Sequence, residues 1–338
     1  MAQTGSVRRP TLLDVAKLAG VSRATASLVI RDAPGPSDLS RKKVRDAAAE
    51  LGYQPDIAAQ LLRRQQSNLI GVMFSAQEPF HADLIESIYA TTETAGYDVV
   101  LSAVVPTRDE RRAFGALTAS RCAAVILLGA ADDVLAEFGA QIPVVEIGRA
   151  PRYARVDAVH TIDAEGGRLA VNHLASLGHT DIVHVDGGDH PGAEERRAGY
   201  REAMIAHGLR ERIRILPGDY TESSGSVAAR ELLDSHRLPT GIIAGNDRCA
   251  VGVLDELRRS GIEVPREVSI VGYDNSRLSR LAHIDLTTVR QNTEELARQA
   301  VKLVADRLSG TAPDHPRVVA LAPDLVVRSS TGPAPDAV

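Results

Sequence analysis

From residue 68 onward, seven short apolar runs (69–74, 98–102, 124–128, 144–147, 182–186, 241–244 and 269–273) alternate with longer stretches whose apolar residues return every three or four positions. The longer stretches, among them 83–95, 164–177, 194–207, 222–234 and 249–260, read as amphipathic helices. Short apolar strands separated by helices mean parallel sheets buried on both faces. A chain of 338 residues has room for more than one core, so two such sheets are expected. Aromatics are only 3% of the residues and Trp is absent, so those cores must be built from Val, Ile, Leu and Ala. No apolar run approaches the ~20 residues needed to span a bilayer. The first ten residues, MAQTGSVRRP, are not followed by an apolar signal stretch, and the expectation is a cytoplasmic protein without a membrane partner. Two cysteines, Cys122 and Cys249, are too few for a disulfide framework or a Cys-cluster metal site.

Charge separates the first sixty-odd residues from the rest. Residues 1–64 hold eleven Lys/Arg against six Asp/Glu, a balance of +5, whereas the whole chain carries −5 and the remainder therefore −10. A basic head on an acidic body suggests a polyanion-binding module attached to a domain with another task. A merely solvated basic arm would show the same balance, but this head has helical order. Thr11 and Asp14 form a capping box, with Leu12, Val15, Ala16 and Ala19 following at helical spacing. Gly20 supplies a break and Val21 a buried plug, and Ser22 caps a second helix from Arg23 to Ile30 with Ala26, Val29 and Ile30 inward. A third helix starts at Ser37 or Leu39 and ends at Leu51, with Val44, Ala47, Ala48 and Leu51 inward and Arg41, Lys42, Lys43 and Arg45 outward. Tyr53 closes the small core. Two short helices joined by a tight glycine turn are able to form a helix-turn-helix, whose second helix enters the DNA major groove.

The run from Thr11 to Ser27, TLLDVAKLAGVSRATAS, followed by LGYQP at 51–55, resembles the signature of the LacI/GalR (lactose-repressor/galactose-repressor) family of bacterial transcription regulators. Later segments are similar as well: Asn172-His173-Leu174 with Leu177-Gly-His179, Gly245-Asn-Asp247, and the stretch from Val264 to Asp274 with Leu286-Thr-Thr-Val289. The resemblance implies an all-α head and an α/β sensor of periplasmic-binding-protein type with two doubly wound parallel-sheet subdomains. Residues 1–64 would be the DNA-binding domain, with a hinge helix at about 56–64, and residues 65–338 the effector-binding and dimerisation domain. The latter would divide into an N-subdomain (about 65–160 plus 290–321) and a C-subdomain (about 162–288 plus 323–330), with crossovers near 160–162, 288–292 and 321–323.

By the same resemblance, Arg23, Ala24 and Leu28 face base edges, Arg23 toward guanine and the other two offering apolar contact only. Ser22, Thr25, Ser27, Ser37 and Ser40 match phosphate-contacting positions, although Ser22 and Ser37 serve equally as helix caps. Arg31 and Leu28 depart from the residues common there, Asn and Arg, so the operator code of other members does not transfer. In the hinge, Leu62 matches a Leu that wedges into the minor groove, with Ala59 at the contact between the two hinge helices, Leu61 beside it and Arg63 near the groove or phosphates. A nine-residue helix is too short to stand alone in water, so it is expected to fold on DNA.

Ligands of doubly wound sheets bind outside the carboxyl ends of the strands. Phe80, His81, Arg149, Arg196, Tyr220, Asn246 and Asp274 all fall at such ends. By resemblance, Arg196, Asn246 and Asp274 match effector-gripping positions and Tyr220 an aromatic that stacks on the ligand. Paired polar groups of this kind hold vicinal hydroxyls, and an aromatic covers an apolar sugar face, so a sugar or sugar derivative is the expected effector. Each of these residues taken singly also reads as a satisfied loop group. The strings G-x-S-x-G, H-E-x-x-H and G-x-x-x-x-G-K-[ST] are absent, the Gly187–Gly192 loop lacks dinucleotide spacing, and His173, His179 and His184 are irregularly placed. No enzyme, catalytic residue, cofactor or metal is therefore expected. The expected partners are double-stranded operator DNA, a small-molecule effector and a second copy of the chain. The last residues carry no Leu heptad, which points to a dimer rather than a tetramer. A solute-binding protein and a sugar-modifying enzyme remain the rival readings of the body.

Overall fold

Thr11 begins the first helix as its sequence requires. Its side chain receives the Asp14 N–H while Asp14 receives the Thr11 N–H at 2.8 Å, closing the capping box of α1 (Leu12–Ala19). Gly20 ends α1 in the left-handed conformation, φ 63°, which costs an L side chain energy that glycine does not pay. Ser22 then caps α2 (Arg23–Ile30) and Ser37 caps α3 (Asp38–Glu50). Val15, Ala16, Ala19, Ala26, Val29, Val44 and Ala47 are buried together, with Val21, Ile30, Leu51 and Tyr53 packed around them. The computed structural model describes residues 10–53, 67–129, 142–149, 156–235 and 237–335. The expected hinge helix, with Ala59, Leu61, Leu62 and Arg63, lies outside these residues.

The chain divides into two units, residues 1–67 and 68–338. The second contains two six-stranded sheets. The first has the order β11-β5-β4-β3-β1-β2 and is parallel throughout, built from β1 (Leu69–Ser75), β2 (Asp98–Val104), β3 (Ala124–Leu128), β4 (Val144–Ile147), β5 (Asp157–Thr161) and β11 (Val318–Leu321). The second has the order β12-β10-β9-β8-β6-β7, built from β6 (Ile182–Val185), β7 (Arg214–Leu216), β8 (Gly241–Ala244), β9 (Ser269–Asp274), β10 (Thr287–Arg290) and β12 (Asp324–Val326). Only the β10–β12 pair in it is antiparallel. The seven apolar runs of the sequence are all strands. The five strands without such a run, β5, β7, β10, β11 and β12, are short, all but β11 include polar residues, and all five are at or next to sheet edges.

Alternation of side chains sends successive residues to opposite cores. In β3, Ala124, Ile126 and Leu128 pack under helices Pro79–Ala95 and Thr293–Leu308, while Val125 and Leu127 pack on helix Glu110–Ala119. In the second sheet, Ile242 and Ala244 meet helices Glu222–Asp234 and Asp247–Arg259, and Ile243 meets helices Asp163–Ser176 and Ala193–Ala206. Strand order reverses between β1 and β3 in one sheet and between β6 and β8 in the other. These are the points where open α/β sheets leave a crevice at the strand carboxyl ends. The chain passes between the sheets after Thr161, after Arg290 and after Leu321.

Candidate functional site

On the head, α2 buries Ala26 and Val29 and turns Arg23 and Ala24 to solvent, with Leu28 half-buried beside them. Ser22 Oγ accepts from Thr25 N–H at 3.0 Å and lies 2.9 Å from Thr25 Oγ1. Ser37 Oγ stands in the same relation to Ser40, at 3.4 Å from its N–H and 3.1 Å from its Oγ. Ser27 is half-buried and its carbonyl accepts from Arg31 Nε at 3.1 Å. One residue departs from the sequence reading. Arg41, expected to point outward with its neighbours, folds back and donates to the Ala33 carbonyl at 2.6 Å and to Asp32 at 3.0 Å. Asp32, in the left-handed region at φ 51°, also takes Arg45 at 3.0 Å. The carboxylate and a loop carbonyl with no helical partner supply the acceptors that draw the guanidinium inward.

In the body, three strand ends of the second sheet converge on Arg196. This arginine lies in the first turn of helix Ala193–Ala206 and is 6% exposed. Its Nε donates to Asp163 Oδ1 at 2.8 Å and its Nη1 to the Gly245 carbonyl at 2.8 Å, with Asp274 Oδ1 3.9 Å away. Its guanidinium lies 3.6 Å from the Tyr273 ring centre and 5.2 Å from that of Tyr220. Burial raises the carboxyl groups of Asp163 and Asp274 above the usual range, with Arg196 opposing the shift. Burial likewise pushes the Tyr220 phenol up.

Tyr220 rests on backbone that only glycine leaves open. A Cβ at Gly187 would lie 2.0 Å from its ring and one at Gly245 2.7 Å. Tyr220, Asp274 and Asn275 all hold positive φ, at 67°, 107° and 54°. Strain of this kind persists where surrounding structure over-determines it, and it clusters at functional sites. Asn246 is buried at the end of β8 and caps helix Asp247–Arg259, accepting Cys249 N–H at 2.8 Å. Asp247 next to it accepts from Ser276 N–H at 2.7 Å and from the Thr288 hydroxyl at 2.5 Å. Desolvation nonetheless pushes its carboxyl up to about 6.

The remaining three candidates sit at strand ends of the first sheet. Phe80 and His81 fall in the first turn of the helix that Pro79 opens, one turn before the start expected from the sequence. Proline at a first helical position loses no hydrogen bond, so the helix begins at it. Phe80 packs against the apolar core below, and His81 Nδ1 accepts the Ser75 N–H at 3.1 Å. Burial holds the His81 imidazole down at about 4. Arg149 follows β4 and donates to the buried Glu146 at 2.9 Å. The structure thus brings Arg196, Tyr220 and Asp274 together around one centre and places Asn246 beside Gly245 in it. The contacts shown for Phe80, His81 and Arg149 run to their own sheet.

Sequence reasoning did not single out Asp163, Tyr273 and Gln291, which complete the cluster. Tyr273 was on view beside Asp274, and Asp163 directly follows an expected crossover. Neither has a local pattern that marks it. Ion pairs also bridge the two lobes of the body: Arg277 meets Asp83 and Glu86, each at 2.5 Å, and Arg248 meets Glu78 at 3.3 Å. Among the described residues, no group of acidic, His or Cys side chains is arranged to hold a metal, and no helix is long and apolar enough to cross a membrane.

Comparison with known proteins agrees with both parts of this arrangement. Residues 11–56 match the model of bacterial regulatory proteins of the lacI family, and residues 171–331 that of a periplasmic binding protein-like domain. The HTH-type transcriptional regulator CelR of Thermobifida fusca is 34% identical over 337 residues, covering 96% of this chain and 98% of its own. Among solved structures, a LacI transcriptional regulator from a Rhodococcus species is 45% identical over 79% of this chain and 99% of its own, with a TM-score of 0.76. A CelR–cellobiose complex is 33% identical, covering 95% and 100% of the two chains, with a TM-score of 0.69. The lac repressor dimer bound to operator and the anti-inducer ONPF is 28% identical, covering 96% and 100%, with a TM-score of 0.80. A capped three-helix head, two doubly wound sheets and this degree of identity along nearly the full length together show that the chain belongs to the lacI family of bacterial transcription regulators.

Proposed function

We propose that the protein is a cytoplasmic, homodimeric transcription repressor whose grip on a palindromic operator is set by a sugar or sugar derivative bound at the strand ends of its body. The observation that carries the reading is the Arg196 cluster: a buried guanidinium between two aromatic rings, flanked by Asp163, Asp274 and the Asn246 cap, on a strained backbone. Arginine and carboxyl groups so arranged meet neighbouring hydroxyls in pairs, and Tyr220 offers a face to an apolar sugar surface. Phe80, His81 and Arg149 would close the site from the other lobe. The cellobiose complex of CelR supports the ligand class, and the operator-bound lac repressor dimer supports DNA and a second copy as partners.

On the head, Arg23, Ala24 and Leu28 would meet base edges while Ser22, Thr25, Ser27, Ser37 and Ser40 fix register on phosphates. Two heads on a two-fold axis require two half-sites related by that axis. Between them, residues 56–64 would form hinge helices that meet at Ala59 and place Leu62 in the minor groove, with Leu61 and Arg63 alongside. Effector binding would change lobe closure and the spacing of the hinges, because the ligand binds the two states unequally. The carboxyl groups of Asp163, Asp247 and Asp274 are engaged by arginine, hydroxyl and amide donors, an arrangement suited to holding a ligand rather than transforming it.

A thermal-shift screen of sugars and purines, with hits retested for release or tightening on DNA from the neighbouring promoter, tests the proposal. A sugar that raises the melting point and alters DNA affinity is the expected result. A protein that ignores that DNA with every compound would overturn it, as would a sugar recovered chemically changed.

A further inference from the structure

Arg196 enters the ligand cluster with its charge already matched. Asp163 Oδ1 accepts its Nε at 2.8 Å, both side chains are buried, and Asp274 Oδ1 stands 3.9 Å from Nη1. The backbone leaves room for that carboxylate, since a Cβ at Gly192 would lie 2.7 Å from Asp163 Oδ2. The rings of Tyr273 and Tyr220 close on the guanidinium, so water screens the pair little. The bonds to Asp163 and Gly245 use Nε and Nη1, and among the described residues Nη2 keeps its two donors for a ligand.

Other cations at these strand ends are matched in the same way. Arg197, next in the chain, donates to Asp186. Arg248, in the first turn of helix Asp247–Arg259, donates to Glu222 at 2.5 Å and to Glu78 at 3.3 Å. Arg149 donates to the buried Glu146 at 2.9 Å. The His81 imidazole, held down at about 4, is uncharged near neutral pH. His190, whose ring centre lies 5.6 Å from that of Tyr220, is exposed to water, where charge is screened.

Hydroxyls and anions make different demands on such a site. A hydroxyl accepts from Nη2 and donates to Asp274 without altering the balance of charge. A phosphate or carboxylate brings a charge that the matched guanidinium does not neutralise, and it meets Asp274 as a like charge. A buried charge without its counter-charge is strongly unfavourable. A guanidinium freed of its carboxylate is the opposite case, a two-pronged anion site.

We infer that Asp163 sets the charge class of the effector: by neutralising Arg196 it confines the cluster to uncharged sugars and excludes anionic ones. The inference rests on the proposed function for the sugar itself, and its test has one arm that needs no sugar. In that arm the probe is inorganic phosphate, compared with chloride at matched ionic strength, and the readout is the melting point of the full-length protein. Phosphate held by the head is common to all variants, so differences between variants report on the body. The unmodified protein and Arg196→Met should respond equally to phosphate. Asp163→Asn keeps an oxygen for Arg196 Nε but removes the charge. It should bind phosphate at least about tenfold more tightly than the unmodified protein, read from the concentration dependence of melting. The double variant Asp163→Asn/Arg196→Met should lose that gain, and Asp274→Asn should show a smaller one. A folded Asp163→Asn without the gain overturns the inference. If Asp163→Asn does not fold, the unmodified protein decides: a phosphate response that Arg196→Met abolishes overturns the inference as well.

The second arm titrates matched sugars, glucose and galactose each against its 6-phosphate and its uronic acid. A neutral sugar that binds should lose at least about a hundredfold on gaining the charge, and Asp163→Asn should narrow that ratio by about tenfold. An anionic member that binds the unmodified protein as tightly as its neutral parent overturns the inference. Binding of no sugar of either kind counts against the proposed function, and the phosphate arm then decides the role of Asp163.

Discussion

At the scale of single residues, the candidate effector site depends on groups that other side chains would displace. Gly187 is a case with a sharp consequence, since a methyl group there would lie 2.0 Å from the Tyr220 ring, and one at Gly245 2.7 Å from the same ring. Gly187→Ala is therefore expected to drive the ring out of place, to weaken effector binding by at least about tenfold, and to lower the unfolding midpoint of the body, because the displaced ring is itself buried. Calorimetric titration with an active sugar and a urea melt check the two halves of that statement. His81 carries a second prediction. Its Nδ1 accepts the Ser75 N–H only while unprotonated, and burial holds the folded pKa near 4, below the usual 6.5. The unfolded chain thus takes up a proton first as pH falls, so the contribution of His81 is present above about 6.5 and is lost progressively toward 4. Asp247, raised to about 6, acts with the opposite sign over much of the same interval, because there the folded state binds the extra proton. The measurable quantity is the difference between the protein and His81→Gln. The loss of stability between pH 7 and 5 should be smaller in the variant, and an identical loss would place the acid sensitivity elsewhere.

At the scale of elements, the head was the most legible part of the sequence, because helix ends are written in local chemistry. Thr11, Gly20, Ser22 and Ser37 each do what their residue type predicts, and the third helix ends within one residue of the position read from periodicity. Ser22→Ala should cost about 1 kcal/mol of head stability by leaving N–H groups of α2 without an acceptor. Gly20→Ala should cost a similar amount, about 1 kcal/mol, because it forces an L side chain into a left-handed turn. Hydrogen exchange of the Val15 and Val29 amides, read in the full chain, checks both, with Ile242 as the unaffected control. Strands were legible only where both faces are buried. β3 and β8 are uninterrupted apolar runs, whereas β10 and β12 hold Thr, Arg and Asp and were hidden. β10 buries Thr287 and Thr288 by pairing their hydroxyls with Thr331 at 2.9 Å and Asp247 at 2.5 Å, partners more than forty residues away that no local pattern reveals. The reversal of Arg41 has the same origin, since its acceptors come from the loop before α3.

At the scale of the whole molecule, the division of charge between the first 64 residues and the rest gives a thermodynamic prediction. If each subunit of a dimer neutralises ~3–4 phosphates, the logarithm of operator affinity should fall against the logarithm of salt concentration with a slope of about −5 to −7. Equilibrium binding from low to moderate salt measures it, and a slope near zero would reject a phosphate-gripping head. Leu62→Ala should weaken operator binding far more than binding to unrelated DNA, because a minor-groove wedge operates only where the duplex is kinked. Equal losses on both DNAs would remove that role.

The residues themselves determined the class of the fold and the position of every candidate at a strand end, because burial on both faces and helix capping are local demands that sequence must meet on the spot. They also supplied Arg196, Tyr220 and Asp274, through a pattern shared with a family. What only the folded chain decided is who stands beside them. Asp163, Tyr273 and Gln291 join that cluster because two sheets and the passages between them bring together segments separated by up to 130 residues. Buried polar groups must find partners wherever the backbone delivers them, and that delivery is set by packing over the whole body rather than by neighbours in the chain.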